Sequence, residues 1–399
     1  MNQPLRLALV TAILAAFSVS SHAADDAPTV TISGFGTAAL TAADTDDVEY
    51  ARFNQAAGVG NSPRAGVDSN FGIQGTAKIN DWLSFTAQGL ARKNARDSWG
   101  AELSWAFAKF KINDEISIRV GRIGMPIYMI SDFRQVGYAN TMIRPSQEVY
   151  GQIYGDSYDG IDAMYQHNFG DTTVTAQIGV GKMSAKITGD NRIEYKPATT
   201  IHIVAENGPF TVRFGRADAK VSVQDSESLD GLLATLRRVG LSKVASDLSV
   251  TDVDGSFTSL GFTMDYKNIL VQTEYAVRKT DSLVIHDTTS YYAMLGYRFG
   301  KITPYYYYGN VKQDSDRAYA GLPSTGPLAA LSAGVNTAMK AGLQSTNALG
   351  VRWDFHKSAA LKVQVDRIKP RDGSGTFLNA KPGFRDAVNV YAAGVDFVF

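Results

Sequence analysis

Hydrophobic and polar residues alternate with a period of two along most of the chain. Leu83, Phe85 and Ala87 alternate with Ser84, Thr86 and Gln88. Val174, Ala176, Ile178 and Val180 alternate with Thr175, Gln177 and Gly179, and Leu349, Val351, Trp353 and Phe355 with Gly350, Arg352 and Asp354. Val395, Phe397 and Phe399 close the chain in the same rhythm. This is the pattern of strands with one apolar face. Helical periodicity is confined to two long connections.

Tight turns interrupt the pattern at Asn80-Asp81, Asn113-Asp114, Gly170-Asp171, Asn207-Gly208, Lys267-Asn268, Gly300-Lys301 and His356-Lys357-Ser358. Most are residue types that suit hairpin turns. Longer polar segments fall between them at 44–69, 93–100, 125–159, 182–197, 220–255, 280–287, 313–344 and 371–386. Seven short turns and eight long loops predict sixteen strands, with both termini at the short-turn end. An even strand number with connections segregated by length is the layout of a transmembrane antiparallel β-barrel, all-β in class. An aromatic residue flanks each short turn: Trp82, Phe110, Phe169, Phe210, Tyr266, Phe299 and Phe355. Such a ring suits the headgroup level of a membrane.

Composition then removes alternatives. The 39 Lys+Arg balance 39 Asp+Glu, which offers no basic surplus for a nucleic acid. No Cys is present, so disulfides, thiolate catalysis and Cys-bound metal are excluded. A mean hydropathy of −0.13 is too polar for a helical membrane bundle. At the N-terminus, Arg6 precedes the apolar run Leu7 to Val19 and then Ser21-His22-Ala23. That order predicts a secretory signal peptide over 1–23 and a single barrel domain over 24–399. The apolar run is shorter than the roughly 20 residues of a spanning helix.

Together, the signal segment, the sixteen alternating strands and the terminal Val398-Phe399 resemble the Gram-negative outer-membrane porins over the whole mature chain. The resemblance implies residence in the outer membrane among lipid and lipopolysaccharide, a homotrimer with one pore per chain, and Phe399 as the signal read by the barrel-assembly machinery. It also implies a third long loop folded into the pore, here 125–159. The Pro-Glu-Phe-Gly-Gly loop motif of general porins is absent. Met125-Pro126-Ile127-Tyr128 and Arg144-Pro145-Ser146-Gln147-Glu148-Val149-Tyr150 stand in its place.

A sixteen-stranded barrel is too wide for side chains to fill, so its interior should hold water. Strand parity places Lys78, Arg92, Arg119, Arg213, Arg278, Arg298, Arg352 and Lys362 inward. It does the same for Glu102, Asp162, Glu206, Asp265, Glu274, Asp354, Asp366 and Asp396. A Lys or Arg facing lipid at the midplane costs roughly 2–4 kcal/mol, so these charges require a lumen. Arg119 and Arg213 lie near mid-barrel, Glu274 at a similar height, and Asp162 and Asp366 slightly higher. The third loop adds Arg134, Arg144, Asp132, Glu148 and Asp156. The expectation is that Arg119, Arg213, Arg134 and Arg144 face some of Asp132, Glu148 and Asp156 across a constriction. Opposed charged walls of that kind orient dipolar solutes. The alternative is that these groups pair locally and pin the loop.

Weaker patterns add little. Gly34-Phe35-Gly36-Thr37-Ala38-Ala39 matches a dinucleotide fingerprint but opens a strand rather than a βαβ unit. Its small outward residues Gly34, Gly36 and Ala38 are read as room for a neighbouring subunit. Asp252-Val253-Asp254-Gly255 and Asp372-Gly373-Ser374-Gly375 lack the terminal Glu of a calcium loop and read as hydrated turns. No metal, cofactor or catalytic group is expected, because none of His167, His202, His286 and His356 stands in a recognisable triad. Leu229, Leu232, Leu233, Leu236 and Val239 predict a helix in the fifth loop, and 327–340 another in the seventh. The function expected is passive passage of small hydrophilic solutes and ions. A substrate-specific channel is the main alternative; a barrel enzyme and a structural surface barrel are more distant ones.

Overall fold

A computed structural model of the protein describes residues 28–188, 191–371 and 373–399. The signal segment expected over 1–23 lies outside them. The first eight strands are β1 (Thr29–Ala43), β2 (Asn70–Lys78), β3 (Leu83–Lys93), β4 (Trp99–Lys111), β5 (Ile116–Gly124), β6 (Ser157–Phe169), β7 (Thr172–Lys186) and β8 (Arg192–Asn207). The remainder are β9 (Phe210–Gln224), β10 (Val253–Tyr266), β11 (Ile269–Thr280), β12 (Thr288–Tyr297), β13 (Ile302–Gln313), β14 (Leu343–His356), β15 (Ala359–Arg371) and β16 (Val388–Val398). Each pairs antiparallel with its sequence neighbours, and β1 pairs with β16 to close a sixteen-stranded barrel. Closure leaves no unpaired strand edge, which a structure surrounded by hydrocarbon requires.

The alternation sorts side chains to two faces. Ile178, Leu295 and Leu349 are about 60% exposed on the outside, whereas Gln74, Gln88, Gln177 and Gln364 are buried inside. The short turns form where expected. Asn80 Oδ1 accepts from the backbone N–H groups of Trp82 and Leu83, and Asn113 does the same for Glu115 and Ile116. At the β10–β11 turn, Lys267 and Asn268 both take positive φ, the hairpin conformation their dipeptide predicts. Trp82, Phe169 and Phe299 beside these turns are more than half exposed on the outer face.

Two expectations need correction. The fourth long loop is far shorter than 182–197, because β7 runs on to Lys186 and β8 resumes at Arg192. Register shifts between Gly181 and Met183 and between Tyr195 and Ala198 break the alternation there and hide the strands. Of the small outward residues of β1, Ala38 stays exposed but Gly34 and Gly36 are covered. A Cβ on Gly34 would run into the ring of Phe399, and one on Gly36 into that of Phe397. The last strand thus lays two rings over glycines of the first.

The fifth loop forms the predicted helix at Glu227–Arg238 and a second at Ser242–Leu248, and the seventh loop forms one at Ala329–Ala338. Leu233, Leu236, Val244, Ala245, Leu248, Val335 and Met339 bury against one another and knit the two loops into a roof. Val239 stays 42% exposed, outside this contact, because the helix has ended at Arg238.

Candidate pore constriction

The loop between β5 and β6, 125–156, turns into the barrel. Met125, Ile127, Tyr128, Met129 and Ile130 are buried and pack with Tyr158, Met183, Tyr195 and Phe257 of the wall. Glycine makes the approach possible: a Cβ on Gly215 would meet the backbone of Ile127, and one on Gly261 the side chain of Met129. Ser259 Oγ donates to Ile127 O at 2.5 Å. Glu274 Oε1 accepts from Met129 N at 3.0 Å, and its Oε2 accepts from Tyr150 OH at 2.6 Å.

Four inward cations of the wall bind this loop through its carbonyl groups. Arg213 Nη1 donates to Met129 O at 2.8 Å. Arg352 Nη1 donates to Tyr138 O and Asn140 O, both at 2.7 Å. Lys362 Nζ donates to Gly137 O and Met142 O at 2.7 and 3.0 Å and pairs with Asp396 at 2.7 Å. Arg278 Nη1 donates to Gln152 O at 2.7 Å. A guanidinium offers five N–H groups in a fixed fork, so it can hold a loop carbonyl and a carboxylate at once. Arg352 does so, taking Asp354 Oδ1 with Nε and Nη2 at 2.9 and 2.8 Å.

The seven constriction candidates separate into two groups. Arg144 and Glu148 are anchors, not opposed charges on an opening. Arg144 is 5% exposed at its side chain and binds Asp68 Oδ1 and Oδ2 at 2.9 and 2.6 Å and Asp366 at 2.5 Å. Burial alone would push the Asp68 carboxyl up, but the Arg144 guanidinium, its hydrogen bonds and Arg52 hold it below the usual carboxylate range. Glu148, in the one-turn helix Gln147–Tyr150, meets no cation. Its carboxylate accepts from Ser146 Oγ, Tyr307 OH, Gln344 Nε2 and Thr346 Oγ1 at 3.0, 2.7, 2.8 and 2.5 Å.

The other five gather on one side. Arg119 takes Asp162 with two bonds, at 3.0 and 2.6 Å, along the β5–β6 ladder. Arg213 pairs with Asp132 at 2.6 Å, while Asp132 keeps 67% of its side chain open. Arg134 pairs with Asp156, which also meets Arg92 at 3.2 Å; Arg92 meets Glu102 at 2.7 Å. A cavity of about 620 Å³ lies here, lined by Arg92, Glu102, Ser104, Arg134, Gln135 and Asp156 among others. The loop's polar anchors lie on β9 to β15 and on Asp68, and the cavity lies between the loop and residues of β3 to β7.

Parity overlooked Asp68 and Lys109. Asp68 sits two positions before inward Asn70, and extending the alternation past the strand end would have found it. Lys109 was hidden by a β-bulge. Gln88 pairs with Trp105 but Gly89 pairs with Leu103, so the faces of β4 exchange at Ser104. Glu102 and Lys109 therefore both point inward despite odd spacing. Among the described residues no cluster of His, Cys, Asp and Glu is arranged to hold a metal ion.

A family model described as Gram-negative porin matches residues 10–373. No curated protein sequence matches the chain. The trimer form of OmpT from Vibrio cholerae is similar in structure, with TM-score 0.55, 16% identity, and coverage of 94% of this chain and 100% of that one. The outer membrane channel DcaP of Acinetobacter baumannii gives 0.58, 12%, 96% and 100% in the same order. OmpF of Salmonella typhi, solved in complex with daunomycin, gives 0.58, 14%, 94% and 99%.

Proposed function

The chain belongs to the Gram-negative porin family and is an outer-membrane diffusion channel, and we propose that the loop 125–156 sets its bore and its ion preference. The observation that carries this reading is the one-sided attachment of the loop. Cationic side chains pin it to β9 through β15, and Arg92, Glu102, Arg134 and Asp156 stand around the space that remains.

Charge at that opening leans positive. Its described lining carries nine cations, Arg52, Arg92, Lys93, Arg96, Arg122, Arg134, Arg144, Lys182 and Lys186, against three carboxylates, Glu102, Asp156 and Asp159. Pairs such as Arg92–Glu102, Arg122–Asp159 and Arg134–Asp156 weaken a field across the opening and leave a positive excess. The channel passes small hydrophilic solutes of both signs with a mild preference for anions. It performs no chemistry on them. His202 bonds Arg213, His286 bonds the carbonyl of Ala338 and His167 bonds Glu115, while His356 meets the Ser358 hydroxyl only in an exposed short turn, with no carboxylate bonded to its ring among the described residues.

The export segment 1–23 is removed, the assembly machinery reads Phe399, and three chains associate side by side, as the trimer form of the Vibrio protein does. Conductance across a planar bilayer in asymmetric potassium chloride tests the reading. Stepwise ohmic openings in threes with a reversal potential on the chloride side are expected. Strict cation selectivity would overturn the charge account, and single unlinked steps the trimer.

A further inference from the structure

Inside the extracellular half of the barrel lies a second cavity of about 750 Å³, within the size range of small-molecule sites, roughly 300–1,000 Å³. Its walls differ from the rest of the lumen. Met183, Ile193, Tyr195, Val221 and Phe257 point inward from the upper ends of β7 to β10, and Leu232 closes it from the roof helix. Elsewhere the inward faces carry Gln74, Gln88, Gln177 and Gln364. Met125, Ile153 and Tyr154 of the loop 125–156 complete its lining, and Phe53, Gln147 and Met183 are shared with the polar cavity, so this is an alcove beside the polar path.

One cation stands at its edge. Arg278 Nε donates to His286 O at 2.9 Å and Nη1 to Gln152 O at 2.7 Å, which fixes the plane of the guanidinium. Its Nη2 has no bonded partner, and no carboxylate bonds it, among the described residues. Asp287 nearby is committed to Lys279 Nζ at 3.0 Å and to the N–H of Thr280 at 2.8 Å. Glu148, the one carboxylate among the described residues that line the alcove, already accepts from four donors. Lys340 lines the alcove as a further cation, with no ion pair among the described residues.

We propose that the alcove binds an organic carboxylate with an aromatic or branched apolar body, its carboxylate on Arg278 and its body against Tyr195 and Phe257. The inference rests on the channel reading and narrows it to a solute class. An oriented guanidinium with a free N–H favours a planar carboxylate. The apolar walls favour a body that displaces water from them. A small inorganic anion would satisfy Arg278 alone, and an apolar amine would meet an unpaired cation.

Isothermal titration of the detergent-solubilised full-length protein with sodium benzoate tests this, with acetate, benzyl alcohol and empty micelles as controls. One saturable benzoate site per chain is expected, with acetate and benzyl alcohol at least tenfold weaker. Arg278→Gln should weaken benzoate at least tenfold. Ala219→Phe, which fills the alcove from β9 without touching Arg278, should abolish binding and leave potassium chloride conductance within twofold. Equal benzoate binding by wild type and Arg278→Gln, equal binding of acetate and benzoate, or no saturable site would each overturn the proposal. Titration reads binding whether or not the chain conducts, so missing conductance bears on the channel reading and missing binding on the alcove.

Discussion

Lys109 stands directly across the β4–β5 ladder from Arg119, and the Asp162 carboxylate bonds only Arg119 of the two. Two like charges side by side destabilise a sheet pair. Here they face a water-filled lumen, where the same arrangement adds positive charge to the wall. Lys109→Gln should therefore lower the chloride-to-potassium permeability ratio by about twofold without affecting assembly. Arg119→Ala should lower it further, because it also leaves Asp162 without its cation. Reversal potentials in asymmetric salt measure both, and unchanged values would remove this pair from the selectivity account.

Arg144 joins Asp68 to Asp366 and thereby ties the middle of the loop to two parts of the wall. Arg144→Met leaves two buried carboxylates without their cation, a change that costs about 3–5 kcal/mol. A lowered urea midpoint is expected, together with noisier and larger single-channel currents as the loop loosens. Normal stability would mean that water replaces the guanidinium.

Acid should spare the Asp68 arm of this anchor through the range that protonates ordinary carboxylates. Asp68 has a folded pKa held below its unfolded value, by Arg144 above all. Its contribution is thus fully present above the unfolded value of about 3.9 and is lost only as pH falls through the lower folded value. Between pH 7 and pH 4, Asp68→Asn should therefore lower the urea midpoint by a nearly constant amount. A difference that vanishes near pH 5 would show that Asp68 is not held below its unfolded value.

Phe399 covers Gly34, so the terminal residue has a packing role separable from recognition by the assembly machinery. Gly34→Leu should lower the yield of heat-modifiable folded barrel both in cells and in detergent refolding. Adding Phe399→Ala to Gly34→Leu should recover refolding in detergent and leave assembly in cells impaired. Recovery in both settings would assign Phe399 to packing alone.

Strand number, the antiparallel order and the face of most strand residues were legible because side-chain period and turn chemistry are local properties. Val30, Ile32 and Leu40 face outward and Thr37 and Thr41 inward on β1 as alternation requires. Legibility failed where period alone carries too little. The bulge at Ser104 exchanged faces and concealed Lys109, and the shifts near Met183 and Pro197 made strand read as loop. Partner choice inside the lumen was not legible either. Arg144 and Arg134 belong to one loop with similar neighbours in sequence, yet only Arg144 reaches Asp68 and Asp366 across the barrel.

The central claim is that the aqueous path runs between the loop 125–156 and the wall from β3 to β7. The chain has no Cys, so single cysteines report position directly. Glu102 on β4 lines this space and is 49% open at its side chain, while Ser290 on β12 is fully buried. A bulky charged methanethiosulfonate should block most of the current through Glu102→Cys and leave that through Ser290→Cys unchanged. Block of Ser290→Cys with Glu102→Cys unaffected would place the path on the opposite side and contradict the account.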